Sequence, residues 1–277
     1  MIEVRDVTLE INGKVLLHDV SFVAEPGQVT GLIGPNGAGK STMLAVISGD
    51  LPHKSGTVRV AGLDPQQASA LELARARAVM LQDVAVSFEF LVRDVVAMGR
   101  RPWECTPFAA LDDAFIDAAL QATDTLHLAG RDIATLSGGE RARVALSRVL
   151  AQRTPVIMLD EPTAALDIRH QEQVLGLVRR IAETAQVAVI VVLHDLNAAA
   201  AYCDHIVCLA NGTVAADGSV SEVYTDDTLS SIYGWPIQVK HVDGVISVHP
   251  ERRKETESAQ DFITLCNTDV NHCSHRK

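Results

Sequence analysis

The sequence predicts an α/β fold with a mostly parallel core sheet, and three features of it support this. Short apolar runs that are typical of buried strands recur at 29–33, 156–159 and 187–193. Helical patterns follow these runs, and strands that alternate with helices form largely parallel sheets. Between about residue 85 and residue 150, alanine-rich helical patterns dominate. We therefore expect an α/β core that carries an inserted α-helical subdomain.

Composition limits the classes to which the protein can belong. Hydrophobic residues make up 47% and charged residues 21% of the 277 residues, enough apolar surface to form a substantial core. The 24 Lys and Arg residues against 35 Asp and Glu residues give a net charge of −11. This balance argues against a generally cationic surface that would bind nucleic acid, so nucleic acid is not expected as a partner. The five cysteines are expected to be free thiols, since no secretory signal is visible.

The elements can be followed from the N-terminus. Apolar alternation on both sides of the turn signal Asn12-Gly13 predicts an N-terminal antiparallel β part. We expect one domain over residues 1–240, with its core in 1–84 and 153–240 and the helical subdomain in 85–152. Residues 241–277 are expected to form a C-terminal extension with a partly disordered tail, because the pattern decays there and 251–260 is charged without periodicity. The Cys and His residues near its end are irregularly spaced and predict no metal site.

A glycine-rich stretch follows the apolar run 29–33 and leads into a helical pattern that includes Thr42. It fits the phosphate-loop pattern G-x-x-x-x-G-K-[ST] without a mismatch. Its glycines allow several backbone N–H groups to point inward, toward an anionic phosphate at the positive end of a helix. The lysine is expected to reach the outer phosphates, and the serine hydroxyl to bind Mg²⁺. The matching residues are Gly34, Pro35, Asn36, Gly37, Ala38, Gly39, Lys40 and Ser41.

Two carboxylates, Asp160 and Glu161, end the apolar run that begins at Val156. At the end of a strand the chain turns, so both side chains can approach one site. Asp160 suits the shell of a hard cation, which prefers oxygen ligands. Glu161 suits the orientation or deprotonation of an attacking water. Taken alone, the two carboxylates could merely cap the end of the strand. Because the same sequence contains a phosphate loop, a catalytic role is the better interpretation.

A second glycine-rich helix start lies about a hundred residues after the first. Ser137 and Glu140 have the spacing of a capping box, which explains their presence structurally. A cap does not need Gly138 and Gly139. Since they lack side chains, they expose backbone N–H donors at a helix N-terminus. The chain thus carries two candidate anion sites.

Residues 34–41, 136–140 and 160–161 together resemble the Walker A, signature and Walker B elements of ABC ATPases, over roughly residues 1–235. The resemblance implies a P-loop NTPase fold, the cofactors ATP and Mg²⁺, and a homodimer in which ATP lies between the Walker A of one copy and the signature of the other. By the same resemblance, Gln82 matches the glutamine that senses Mg²⁺ and nucleotide, and Asp167 lies at the dimer seam. His194 matches the histidine that contacts the terminal phosphate. Ile11 stands where the family usually has an aromatic residue that stacks on adenine.

A stand-alone unit of this family resembles the ATPase subunit of a transporter. The resemblance implies two multi-span permease subunits, an extracytoplasmic binding protein for heme or siderophore, and a peripheral position on the cytoplasmic face of a bacterial membrane. Residues 88–103 resemble a segment of importers for iron chelates, heme and vitamin B12, and residues 75–83 and 165–171 are most similar to the heme branch of that group. Hemin is the expected cargo. Ferric siderophore or vitamin B12 remains an alternative cargo, and a soluble ABC ATPase unrelated to transport remains an alternative function.

Overall fold

The computed structural model describes residues 1–81 and 90–252. Strands and helices alternate through most of this part of the chain. The strands are β1 (Ile2–Ile11), β2 (Lys14–Ala24), β3 (Val29–Ile33), β4 (Ser55–Val60), β5 (Arg77–Met80), β6 (Val156–Asp160), β7 (Ala188–Val192), β8 (His205–Ala210), β9 (Thr213–Ser219), β10 (Ile237–Val242) and β11 (Val245–Pro250). The helices are α1 (Lys40–Ser48), α2 (Ala70–Ala76), α3 (Val92–Ala97), α4 (Asp112–Ala122), α5 (Gly138–Ala151), α6 (Ile168–Ala185), α7 (Leu196–Tyr202), α8 (Val220–Val223) and α9 (Asp226–Tyr233). Short 3₁₀ turns connect α3 to α4 and α4 to α5.

A six-stranded sheet forms the centre of the molecule, with the strand order β5-β6-β7-β3-β8-β9. The first five strands are parallel, and β9 is antiparallel to β8. Every residue of β3, β6 and β7 is buried. Strands that are covered on both faces need apolar side chains in both directions, which explains the continuous apolar runs in the sequence. The predicted α/β fold with a mostly parallel core sheet is confirmed.

The two faces of this sheet contact different layers. On one face, an apolar cluster joins the sheet to α5, α6, α7 and the C-terminal elements. On the other face, the cluster includes α1 and the antiparallel sheet β2-β1-β4. The strands of that smaller sheet place alternate residues in the core, as expected for a sheet with one solvated face.

The segment between β5 and β6 contains α3, α4 and α5, which pack around a separate apolar core. A capping box begins α5, the longest of these helices: the Ser137 hydroxyl accepts the N–H of Glu140, and the Glu140 carboxylate accepts the N–H of Ser137. Across the described parts of the chain, none of the helices is long and apolar enough to cross a membrane.

The C-terminal hairpin crosses the boundary expected at residue 240. β10 and β11 pair antiparallel from Ile237 opposite Pro250 to Val242 opposite Val245. The turn residues Asp243 and Gly244 both have positive φ, as a tight two-residue hairpin turn requires. Ile237 and Val248 are buried in the same cluster as the central sheet. Residues 241–250 therefore belong to the folded unit rather than to an extension.

Shortening the Ile190 side chain tests the packing of the central sheet. Ile190 lies in β7 and is fully buried, so Ile190→Ala leaves a cavity between the sheet and α1. The expected loss is about 2–5 kcal/mol of the free energy of unfolding, measured by urea denaturation. The control is Val245→Ala at the exposed hairpin turn, which should change it by about 0.5 kcal/mol or less. Equal losses in the two variants would contradict the packing described for β7.

Candidate active site

The loop between β3 and α1 is shaped by glycines at positions that no other residue could occupy without strain. Gly34 has φ 140°, and a Cβ at this position would lie 2.0 Å from the backbone oxygen of Leu209 in β8. Gly39, the residue before α1, has φ 103°. The chain can therefore leave β3 beside β8 and curl into the start of α1 only with glycine at these two positions. The result is a loop whose backbone N–H groups lie at a helix N-terminus.

Lys40 lies within this loop. Its Nζ donates hydrogen bonds to the carbonyl oxygens of Gly34, at 2.8 Å, and Pro35, at 3.0 Å. Burial lowers the pKa of the ammonium, while the carboxylates of Glu161 and Asp160 raise it. A phosphate oxygen accepts a stronger, charge-assisted hydrogen bond than a carbonyl does. A phosphate in the loop could therefore replace these two carbonyl oxygens as the partner of the Lys40 ammonium.

Asp160, the last residue of β6, fits a hard cation. Its side chain is buried, and its Oδ1 atom has no hydrogen-bond partner within residues 1–81 and 90–252. Burial raises the pKa of Asp160, whereas a hydrogen bond from the Ser41 hydroxyl lowers it. An orphaned buried carboxylate oxygen is costly without a partner, and one that lies beside a hydroxyl offers the oxygen donors that Mg²⁺ prefers.

Glu161 and His194 meet across two strand ends. The Glu161 Oε1 atom lies 2.5 Å from Nε2 of His194, which comes two residues after the end of β7. Glu161 has φ 50°, and its backbone N–H donates to the carbonyl of Val192 at 3.2 Å. The chain therefore turns sharply after Asp160 and brings the second carboxylate to the end of the neighbouring strand.

An open cavity of about 260 Å³ joins the phosphate loop to this carboxylate–histidine pair. Its walls contain most of the loop positions expected to bind phosphate, together with Glu161 and His194. The sequence-based prediction missed Leu16 of β2, since no motif marks this position. Ile11, the residue expected at the adenine, lies at the end of β1 and is not part of the wall. The lining residues are Leu16, Asn36, Gly37, Gly39, Lys40, Ser41, Thr42, Glu161 and His194.

The second glycine-rich helix start does not line this cavity. A Cβ on Gly139 would lie 3.1 Å from the carbonyl oxygen of Ala165, so the start of α5 lies against the loop that follows the acidic pair. In that loop, Asp167 caps α6 and accepts hydrogen bonds from the backbone N of His170, at 2.9 Å, and its ring Nδ1, at 2.8 Å. Ser137–Glu140 and Asp167 thus form a second surface of the same chain. Gln82 lies outside the described residues.

Several known proteins are similar to this chain in sequence and in fold. The ABC transporter family model matches residues 17–164. The Hemin import ATP-binding protein HmuV of Nocardia farcinica is 52% identical over 224 residues, covering 81% of this chain and 77% of the relative. The Cobalamin import ATP-binding protein BtuD of Halobacterium salinarum is 41% identical, covering 95% of this chain and 66% of the relative. A bacterial ABC transporter cassette solved as a dimer has a TM-score of 0.72 at 25% identity, covering 79% of this chain and 99% of the cassette.

The fold and the loop define an ATP-binding ATPase of the P-loop class. The chain belongs to the ABC transporter family, as the extent of the family match and the identity to its relatives show. The resemblance seen in the three sequence motifs is thereby confirmed.

The close approach at Gly34 gives a direct test of the loop. Gly34→Ala forces a Cβ against the Leu209 carbonyl, so we expect a loss of at least about 2 kcal/mol in the free energy of unfolding and weaker ATP binding. Thermal unfolding and titration with a fluorescent ATP analogue measure the two effects. Gly130→Ala is the matched control, because a Cβ at this exposed glycine meets nothing within 4 Å. Normal ATP binding by Gly34→Ala would overturn the described loop geometry.

Proposed function

We propose that the chain is the ATP-hydrolysing subunit of a hemin importer, in which two copies enclose ATP and drive a membrane permease. One observation carries the dimer: a single chain holds the phosphate loop, Glu161 and His194 around one cavity, whereas its second glycine-rich helix start lies elsewhere. Backbone donors at that helix start can reach a nucleotide bound by another copy. The dimeric form of the similar bacterial cassette supports this arrangement.

The loop would hold the phosphates through its backbone N–H groups, with Lys40 moving from its two carbonyl partners to the outer phosphate oxygens. Ser41 and Asp160 would hold Mg²⁺, with Gln82 as the third residue implied by the family resemblance. Bound there, the cation would neutralise charge that develops on the phosphate oxygens. Leu16 would provide apolar contact in the wall of the cavity, and none of the described residues that line it is aromatic.

Glu161 and His194 would handle the attacking water and the terminal phosphate. Glu161 is held by His194 at 2.5 Å, so its carboxylate can accept a hydrogen bond from a water that enters between the pair and the loop. His194 would donate to the terminal phosphate, together with Lys40 and the Ser137–Gly139 helix start of the second copy. Asp167 would lie at the seam between the copies. Loss of the shared phosphate would then let the two copies separate.

The permease and the cargo are argued from the relatives. Several relatives are named as hemin import ATP-binding proteins, from Nocardia farcinica at 52% identity to Thermobifida fusca at 46%. These names support hemin as the cargo, whereas two permease subunits as partners and a position at the cytoplasmic face of the membrane are implied by the family resemblance. An extracytoplasmic heme-binding protein would deliver cargo to the permease. Vitamin B12 is the second candidate, because a relative at 41% identity is named as a cobalamin importer. A ferric siderophore is the third.

Substitution of the lysine tests the phosphate site. Lys40→Ala removes the cation inside the loop, and we expect the ATPase rate to fall by about a hundred-fold or more. Phosphate release by the purified chain measures the rate, and Lys54→Ala, at an exposed lysine, serves as the control. Full activity of Lys40→Ala would overturn the assignment of this loop as the phosphate site.

Substitution of the acidic residue separates binding from chemistry. Glu161→Gln keeps the size of the side chain but removes the charge that orients water, so ATP should still bind while hydrolysis stops. The variant should then accumulate as an ATP-bound dimer, measured by size-exclusion chromatography with light scattering. Normal turnover would exclude Glu161 as the group that activates water.

A growth test separates the cargoes. Cells that lack this chain should fail to grow on hemin as the only iron source and should grow again when the intact gene, but not the Lys40→Ala form, is restored. Growth on a ferric siderophore should be unaffected, and so should vitamin B12 uptake. Normal growth on hemin together with lost uptake of one of the other two would replace hemin by that cargo.

A further inference from the structure

The helix α7 begins two residues after His194, and its first turn is fixed by contacts from distant parts of the chain. The local contact is the cap: the Asp195 carboxylate accepts the backbone N–H groups of Asn197, at 2.8 Å, and Ala198, at 3.2 Å. Because only Asp195 separates His194 from the helix, this first turn constrains the backbone that carries the imidazole, which contacts Glu161.

The first distant contact comes from β11. The Oδ1 atom of Asn197 accepts the backbone N–H of Val248 at 2.7 Å, and its Nδ2 atom donates to the carbonyl of the same residue at 3.3 Å. One side-chain amide thereby satisfies both main-chain groups of a residue on β11, as a neighbouring strand would. This contact joins α7 to a residue 51 positions later in the sequence.

The second distant contact comes from Tyr224, just after α8. Its side chain is almost completely buried, and its hydroxyl donates to the carbonyl of Leu196, the first residue of α7, at 2.9 Å. Burial raises the pKa of this phenol, so it keeps its proton and remains a donor. The first turn of α7 is therefore held from two other parts of the chain: by Tyr224, which follows α8, and by β11, which contacts Asn197.

The C-terminal hairpin is itself joined to the rest of the fold by buried side chains and hydrogen bonds, so it can hold α7 in place. Ile237 and Val248 are buried in one cluster with Ala199 of α7 and with Tyr224. The Asp226 carboxylate accepts the N–H of Val239 at 2.7 Å, and Ser230 Oγ accepts the N–H of Ile237 at 2.9 Å. All of these contacts lie beyond residue 164, where the family match ends.

We propose that Asn197 and Tyr224 are positioning residues: Asn197 holds the first turn of α7 against the C-terminal hairpin, Tyr224 holds the same turn from the end of α8, and together they orient His194 toward Glu161 and the terminal phosphate. This inference rests on the role of His194 in the proposed function. It gives the hairpin a part in catalysis although none of its residues lines the cavity. The coupling runs through one short helix that follows His194, so it predicts a decrease in kcat in addition to any loss of stability.

The test uses the full chain and compares kcat and KM for ATP. Asn197→Ala breaks both bonds to Val248, and we expect kcat to fall about five-fold with KM unchanged, since the phosphate loop is not touched. Tyr224→Phe removes only the hydroxyl and should have the same direction of effect. Asn197→Asp keeps the acceptor for the Val248 N–H and should restore part of kcat. The control is Gln238→Ala, which removes an exposed amide from the same hairpin and should leave both constants unchanged.

A double-mutant cycle with His194→Ala decides whether these residues act through the histidine. If they do, Asn197→Ala should lower kcat no further in the His194→Ala background. An equal decrease in both backgrounds, or an unchanged kcat in both Asn197→Ala and Tyr224→Phe, would overturn the inference while leaving the proposed function intact. Wild-type kcat in His194→Ala would instead refute the role of His194. Circular dichroism at the assay temperature shows that each variant is folded, and Tyr224→Phe replaces Asn197→Ala in the cycle if the latter is not.

Discussion

The convergence of three parallel strands at one edge of the central sheet is the constraint on which the candidate site depends. β6, β7 and β3 are neighbours in that order, and each ends in a residue or loop of the site. Asp160 is paired with Val192 of β7, and Val192 is paired with Leu32 of β3, so the strand ends are level. A slip by one residue would exchange the two faces of a fully buried strand. The register that protects the core therefore also fixes the positions of the acidic pair, His194 and the phosphate loop.

The electrostatics of this edge favour a ligand with charges of both signs. Lys40 is buried and donates to two carbonyl oxygens, and Asp160 is buried with one oxygen atom lacking a hydrogen-bond partner among the described residues. A buried group without a partner costs about 1–3 kcal/mol. A polyphosphate with its cation would give Lys40 a charged partner and would give Asp160 a ligand. Lys40 and Asp160 lose hydration when the chain folds. Part of the free energy of ligand binding would therefore come from giving these buried groups charged partners.

Local patterns explain which parts of this structure could be predicted from the sequence. The phosphate loop, the acidic pair and the capped start of α5 each lie within a few consecutive residues, so their chemistry can be recognised without the fold. Leu16 could not be found in this way, because it reaches the cavity through the packing of β2 against the loop. The C-terminal hairpin was missed although Asp243-Gly244 is a strong turn signal. Its strands have one polar face, so residues after 240 resembled a solvated tail.

Gly138, at the start of α5, fits the proposal that this helix end is approached by a second copy. The capping box already gives the backbone N–H groups of Ser137 and Glu140 their partners. A Cβ on Gly138 would have only the Cβ of Ala165 within 4 Å, at 3.8 Å, which is an ordinary contact. Alanine would therefore fit, and alanine has a higher helix propensity than glycine. A glycine that neither the backbone nor the packing requires is explained if another molecule must approach the backbone closely, as a nucleotide held by a second copy would.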